Sequence, residues 1–249
     1  MQWLRNSAVR RLMIVAAFSH ITVEALRRLE FSGQTRSAVE SWLRRMVRDG
    51  WLQSAPLDDH QAYYRLTAKA VLYLKRICKR RVSRAATRPL SPNRKFEKHA
   101  LLLHCTAVDS PQRWTYRPSH DAGAFNDIAS HIAQGKADPL RHKLFYREGD
   151  TVGYFVADRG QSRLIQSKIR PKMFSLFKWQ SFQQLAETKR IRLTIVTTTE
   201  SRKRELVSEC EENPPPLAWE VVVIAELSSL LPRIRFQPSA QEISHGKTP

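Results

Sequence analysis

The sequence predicts a mixed α and β protein: a strongly basic, mostly helical N-terminal third followed by a larger domain built on a mixed sheet. Residues 1–98 hold 21 Lys and Arg against 7 Asp and Glu, and therefore carry +14 of the formal net charge of +19. Beyond them, runs rich in β-branched residues alternate with helical patterns. With 249 residues and 42% hydrophobic content, the chain can bury one large core or two ordinary ones, so a disordered chain is excluded.

The net charge indicates the class of binding partner, and the spacing of the cysteines indicates the redox compartment. A net charge of +19 favours a polyanion: DNA, RNA or an anionic membrane. The apolar run VVVIA (221–225) is too short to span a bilayer, so no membrane insertion is expected. Cys78, Cys105 and Cys210 are far apart and in no metal-binding spacing, which suits a reducing, cytoplasmic compartment.

Residues 1–80 show the element order of a winged helix-turn-helix. Thr22 can cap a helix over VEALRRLEF, and SGQT (32–35) is a turn. RSAVESWLRRMVRDG (36–50) then predicts a third helix that ends before Gly50. The apolar face of this helix comprises Val39, Leu43, Met46 and Val47. The segments WLQ and AYYRLT on either side of SAPLDDHQ predict a two-stranded wing, and AKAVLYLKRICKRR predicts the next helix.

The third helix is the expected duplex-reading element, because such a helix can enter a major groove. The candidate DNA-binding residues on or beside it are Thr35, Arg36, Ser37, Ser41, Arg44, Arg45 and Arg48. The wing adds His60, Gln61 and Arg65, which can reach the adjacent backbone. An ordinary solvated arginine face and a protein-contact surface are the alternatives. The local charge favours double-stranded DNA over both.

The predicted boundaries follow composition. Residues 1–80 form the winged part, residues 81–98 a basic linker with two prolines, residues 99–236 the mixed-sheet domain and residues 237–249 a flexible tail. Within the third part, DPLRHKLFYREGD and TVGYFVADRG predict a hairpin, and Pro171 is expected to break or kink the helical stretch that follows. RIRLTIVTTT predicts a strand and ESRKRELVSECEE a helix.

Four segments in this order resemble the replication-relaxation family, which includes relaxases and mobilisation proteins of plasmids and integrative elements. They are the wing with YYRLT, EKHALLLHC, KADPLRHKLFYREGDTVGYFVADRGQSRLIQSKI and RLTIVTTTESRKREL, within roughly residues 10–225. The resemblance implies that the second domain is restriction-endonuclease-like. In such cores, acidic residues at adjacent strand ends hold Mg²⁺ against a phosphate.

Carried over by position, the resemblance implies catalytic roles for Asp138, Asp158 and Lys168, with Asp138 and Asp158 as metal ligands if the domain is active. Two positions depart from the family pattern: Ala137 replaces the proline before Asp138, and Val156 replaces a glutamate. A valine cannot ligate a metal. Structural roles compete with catalytic ones: Asp158 can cap a helix, and Asp138 can sit in a turn before a proline.

The expected function is therefore sequence-specific DNA binding in a mobile element, at a transfer origin or a promoter. The nuclease-like domain would contribute binding, dimerisation or contact with relaxosome or conjugation proteins. A metal-dependent nickase or relaxase and a transcriptional regulator of transfer genes are the alternatives. No cofactor is required by the binding function, and Mg²⁺ is expected only for an active nuclease.

Overall fold

The protein is described by a computed structural model that covers residues 6–58, 61–78, 82, 84–107, 112–118, 121, 123–140, 143–161 and 163–231. Its helices are α1 (Asn6–Phe18), α2 (Val23–Glu30), α3 (Arg36–Arg48), α4 (Ala68–Cys78), α5 (Pro92–Cys105), α6 (Asn126–Ala133), α7 (Arg170–Leu176), α8 (Gln180–Glu187) and α9 (Glu200–Glu212). Its strands are β1 (Leu52–Pro56), β2 (Ala62–Leu66), β3 (Arg113–Tyr116), β4 (Leu144–Glu148), β5 (Thr151–Ala157), β6 (Ile191–Thr197) and β7 (Ala218–Val223). Short 3₁₀ helices span Arg84–Thr87 and Ala225–Leu230, and a π-helical turn spans Ile165–Ile169. The class is thus mixed α and β with two sheets, as predicted.

Local signals explain the helices of the N-terminal part. The Thr22 hydroxyl accepts the Ala25 N–H at 3.4 Å at the start of α2, and the Thr35 hydroxyl accepts the Ala38 N–H at 3.4 Å at the start of α3. The chain leaves α3 through Gly50 at φ +74°. Glycine adopts this left-handed conformation without strain because it has no Cβ. The predicted cap at Thr22 and the predicted end of α3 are confirmed, whereas the cap at Thr35 was not predicted. Helix α1 begins at Asn6, earlier than residues 10–18, whose apolar pattern predicts the first helix.

The loop between α1 and α2 adds a third backbone segment to the small β1–β2 sheet. Ile21 forms an isolated antiparallel bridge with Tyr64 of β2. The Ile21 N–H donates to the Tyr64 carbonyl at 2.9 Å, and the Tyr64 N–H donates to the Ile21 carbonyl at 2.8 Å. The bridge joins the start of the helical part to the hairpin that follows α3, and the sequence pattern did not predict it.

The large sheet has the order β3–β4–β5–β6–β7. Its first three strands are antiparallel neighbours, and β5, β6 and β7 run parallel. The predicted hairpin between DPLRHKLFYREGD and TVGYFVADRG is confirmed: β4 and β5 are joined by a turn at Gly149, at φ +55°. The parallel connections run through α7 and α8, and then through α9, so the carboxyl ends of β5 and β6 lie side by side.

The two faces of the sheet bury different hydrophobic clusters. One face, with Tyr146, Phe155 and Val196, packs against α5 and joins the buried residues of α1 to α4 in one continuous cluster. The other face, with Phe145 and Leu193, packs against α6 to α9. The N-terminal part therefore shares its core with the sheet through α5, and the core shows no break between the predicted domains.

The predicted basic linker is only partly a linker. Residues 81–98 include the 3₁₀ helix Arg84–Thr87 and the first half of α5, which begins at Pro92. Proline is favoured in the first turn of a helix because its missing N–H would be unsatisfied there anyway. Helix α5 is anchored by buried Phe96 and Ala100, so the helical pattern starts inside the stretch that composition alone assigns to a linker. The predicted tail (237–249) lies outside the described residues.

Candidate nucleic-acid interface and the Asp158 site

Helix α3 buries one face and exposes the predicted DNA-binding face. Its buried side chains are Val39, Trp42, Leu43 and Met46, and Val47 is only partly buried. The exposed set comprises Thr35, Arg36, Ser37, Ser41, Arg44, Arg45 and Arg48. All seven predicted positions on and beside this helix are therefore open to solvent, because the helix is amphipathic with Trp42 added to the expected apolar stripe.

An acidic residue organises part of this face. Glu40 accepts from Arg36 Nε at 2.9 Å and from an Arg44 guanidinium nitrogen at 3.1 Å, both at i,i+4 spacing. The hydrogen bond from Arg36, with the charges of both arginines, lowers the pKa of Glu40. The side chains of Arg44 and Arg48 are 76% and 77% exposed, so their cationic ends remain available to phosphates. The surface is cationic but pre-ordered by short-range ion pairs.

The predicted wing residues have different environments. Gln61 is exposed at the hairpin tip, where its N–H donates to an Asp58 carboxylate oxygen at 2.7 Å. Arg65 is half-buried, and its guanidinium donates to the Thr87 carbonyl. It therefore fastens β2 to the 3₁₀ helix, which does not favour the predicted backbone contact. His60 lies outside the described residues.

Asp158 lies immediately after β5 and is buried, with its side chain 0% exposed. One carboxylate oxygen accepts the Gly160 N–H at 3.1 Å and the Gln161 N–H at 3.3 Å. The other accepts from Arg202 Nε at 2.8 Å and lies 3.5 Å from the Thr197 hydroxyl of neighbouring β6. The acid at the strand tip therefore closes the turn after β5 and holds the first turn of α9.

Arg202 is the residue of this site that sequence reasoning missed. It lies 44 positions from Asp158 and also contacts Glu205 at 2.7 Å and the Gln161 carbonyl. One signal was available: because the carboxyl ends of adjacent parallel strands meet at one edge of a sheet, the helix after β6 begins near the end of β5. A basic residue early in that helix is then a natural partner for an acid after β5.

Asp138 and Lys168 are engaged locally. The Asp138 carboxylate accepts the Leu140 N–H at 2.8 Å. This contact is the turn role that the sequence offers as the alternative to a catalytic role. Lys168 lies in the π-helical turn and donates to the Gln161 side chain, which places it close to the Asp158 turn. Val156 packs against the cluster beneath α6 to α9, where a glutamate would enter an apolar layer.

These contacts do not fit a magnesium site. Mg²⁺ takes oxygen ligands in near-octahedral geometry, usually one or two carboxylates plus water. The Asp158 oxygens are already engaged by an arginine and two N–H groups, and the arginine repels a second cation. Within the described part of the chain, no group of three or more His, Cys, Asp or Glu side chains is arranged to hold a metal ion.

Comparison with known protein families, with characterised proteins and with solved structures gives no match to this chain. Among the residues the structure describes, no helix combines the length and the hydropathy needed to cross a bilayer.

A second polar network, which sequence reasoning also missed, crosses the α5 face of the sheet. The Tyr146 hydroxyl lies 2.8 Å from the Thr194 hydroxyl and accepts from Arg192 Nε at 3.1 Å. The ring reaches β6 by lying over Gly153 of β5, where a Cβ would come within 1.9 Å of it. Burial raises the pKa of the Tyr146 hydroxyl, and its full burial favours a structural role.

Proposed function

We propose that this chain is a double-stranded-DNA-binding protein in which the elements from α1 to β2 form a winged helix and α3 lies in the major groove. The bridge between Ile21 and Tyr64 carries the proposal. The elements follow the order α1, the Ile21 segment, α2, α3 and the β1–β2 hairpin. The bridge pairs the Ile21 segment with the hairpin, and this pairing is the arrangement of a winged helix. That arrangement leaves the arginine face of α3 exposed at the surface.

The strand order of the large sheet supports the restriction-endonuclease-like part of the proposal. The order along the chain is α5, β3, α6, β4, β5, α7, α8 and β6. Apart from α6, which lies between β3 and β4, this is the order of such cores, with β3, β4 and β5 antiparallel and β6 parallel to β5. The pairing of Asp158 with Arg202 supports a domain that binds or positions DNA rather than one that hydrolyses it. We place the protein in the mobilisation of a genetic element or in the control of its transfer, on the resemblance to replication-relaxation proteins.

The binding function is tested by selecting duplexes from a random pool with the full chain. We expect enrichment of a defined site. Arg44→Ala should weaken binding to every enriched duplex by a similar factor, because a phosphate contact carries no sequence information. Ser37→Ala or Ser41→Ala should instead change which bases are preferred. Recovery of a pool with no sequence preference would contradict site-specific recognition.

A metal-dependent nickase is the second candidate, and the position of Asp158 favours it. Asp158 follows β5 at the carboxyl edge of the parallel strands, where α/β sheets commonly place ligand sites. Supercoiled plasmid incubated with Mg²⁺ or Mn²⁺ tests this candidate. Nicking that is lost in both Asp138→Ala and Asp158→Asn, each checked for folding, would establish the enzyme and overturn the binding-only proposal.

A further inference from the structure

The helical segment after Asp158 presents a cationic surface that the duplex-binding proposal does not use. Residues 160–186 contain five Lys and Arg and no Asp or Glu. The side chains of Arg163, Lys172 and Lys178 are exposed, and Arg170 is partly exposed. We call the surface formed by these four residues and Phe174 the Phe174 surface.

Phe174 is the unusual member of this surface because it is a large apolar ring left 60% exposed. The flanking residues Met173 and Leu176 are buried in the cluster beneath α7. They fix the helix so that Phe174 points outward. The start of the segment is also held, since a Glu209 carboxylate oxygen of α9 accepts the Ile165 N–H at 2.8 Å and the Gln166 N–H at 3.2 Å. The ring is therefore presented by a fixed helix.

Positive charge lies beside this ring. The Arg170 guanidinium carbon lies 5.9 Å from the Phe174 ring centroid. Lys143, just before β4, has its pKa lowered by burial and further by the charge of Lys172, so a cation from a second element lies near Lys172. A region in which lysines repel one another favours a polyanionic partner.

We infer that single-stranded DNA lies along the Phe174 surface, with its phosphates beside Arg163, Lys172 and Lys178 and one base stacked on Phe174. Exposed aromatic rings within a basic surface are the means by which proteins hold single strands, because every unpaired base offers a π-face. In a duplex the base faces are covered by their neighbours. The choice of DNA over RNA rests on the proposed function, in which α3 holds a duplex and this surface takes an unpaired strand.

An anionic membrane is the competing occupant for a basic helix with an exposed phenylalanine. A membrane-surface helix has a broad apolar face, with several large side chains buried at the lipid boundary. The large hydrophobic side chains exposed in the described part of the chain are Leu72, Ile77 and Phe174, and the first two belong to α4. Helix α7 thus offers a single ring, which suits one base better than a bilayer.

The test is the affinity of the full chain for fluorescently labelled oligothymidylate, measured by anisotropy. Phe174→Ala should weaken binding by about tenfold, the effect of losing one stacked base. Phe174→Trp should retain the affinity. Leu72→Ala, which shortens the other strongly exposed apolar side chain (67% exposed), is the matched control and should leave the affinity unchanged. On an abasic strand of equal length, Phe174→Ala should have no effect, because only phosphates remain.

Four results would overturn the inference: an unchanged affinity of Phe174→Ala for oligothymidylate; an equal loss on the abasic strand; tighter, Phe174-dependent binding to a matching RNA; or a larger loss on phosphatidylserine vesicles than on DNA. Duplex binding separates this inference from the proposed function. Phe174→Ala should keep full duplex affinity, whereas Arg44→Ala should lose duplex affinity and keep oligothymidylate binding. Unchanged oligothymidylate affinity in Phe174→Ala therefore contradicts this inference alone, and unchanged duplex affinity in Arg44→Ala contradicts the proposed function alone.

Discussion

Arg202 Nε of α9 lies 2.8 Å from a carboxylate oxygen of Asp158, which follows β5. The carboxylate is fully buried, and the arginine side chain is only 18% exposed. This pair joins the ends of two neighbouring parallel strands through the turn after β5 and the first turn of α9. Arg202 thereby engages the Asp158 carboxylate that a catalytic metal site would need.

Removing the arginine should destabilise the fold, because it leaves a buried carboxylate with no counter-ion. We expect Arg202→Ala to lower the free energy of unfolding by roughly 3 kcal/mol, as for other broken buried pairs. Urea denaturation measures the change. Arg204→Ala, an exposed arginine on the same helix, is the control and should stay within about 0.5 kcal/mol of the parent.

The pairing itself is tested by a double-mutant cycle. Asp158→Asn with Arg202→Ala should cost less than the two single changes added together, because the second change removes no further interaction. Additive losses would show that the two side chains do not act as a pair.

Gly153 should not tolerate alanine. A Cβ at this position would lie 1.9 Å from the Tyr146 ring, so the ring would have to leave Thr194 and Arg192. We expect Gly153→Ala to cost about 3 kcal/mol or more, the upper range for overpacking a core. Gly123→Ala is the matched control, since its Cβ would meet the nearest atom at 3.6 Å, an ordinary contact. Equal melting temperatures for the two variants would contradict the packing described.

Stability should fall on mild acidification because three histidines are buried uncharged. Burial lowers the pKa of His20 to about 3, of His99 to about 4 and of His104 to about 3, from the ordinary value of 6.5. Below pH 6.5 the unfolded chain binds protons that the folded chain excludes, so the free energy of unfolding decreases as pH falls from 6.5 toward 4. Each histidine contributes up to about 1.4 kcal/mol per pH unit.

The range between pH 6.5 and 4.5 isolates the histidines from the carboxylates. Glu24, whose pKa is lowered to about 2 chiefly by its hydrogen bond with Arg27, loses its stabilising effect only below its ordinary value of 4.5. His99→Gln should therefore flatten the pH dependence in this window. Chemical denaturation at a series of pH values measures the slope, and an unchanged slope in the variant would show that His99 is not the buried neutral group described.

Local signals predicted more of this structure than long-range ones. The cap at Thr22 and the end of α3 before Gly50 depend on residues a few positions apart, and they were predicted correctly. The Ile21–Tyr64 bridge and the Asp158–Arg202 pair join positions about forty apart, and no periodic pattern in the sequence indicates such contacts. Helix α6 was not predicted either. The pattern of FEKHALLLHCTAVD (96–109) predicts helix α5, but the basic, proline-containing composition before it concealed the first turn, which begins at Pro92.

The central claim is that α3 binds duplex DNA through its exposed arginines. Its most direct test is the salt dependence of duplex affinity for the parent and for Arg44→Ala/Arg48→Ala. Each lost phosphate contact should lower the slope of log affinity against log salt by about 0.9, so the double variant should lose about 1.8. Arg204→Ala, on α9 and outside the proposed winged helix, should leave the slope unchanged. A double variant with the affinity and slope of the parent would contradict the placement of α3 on DNA.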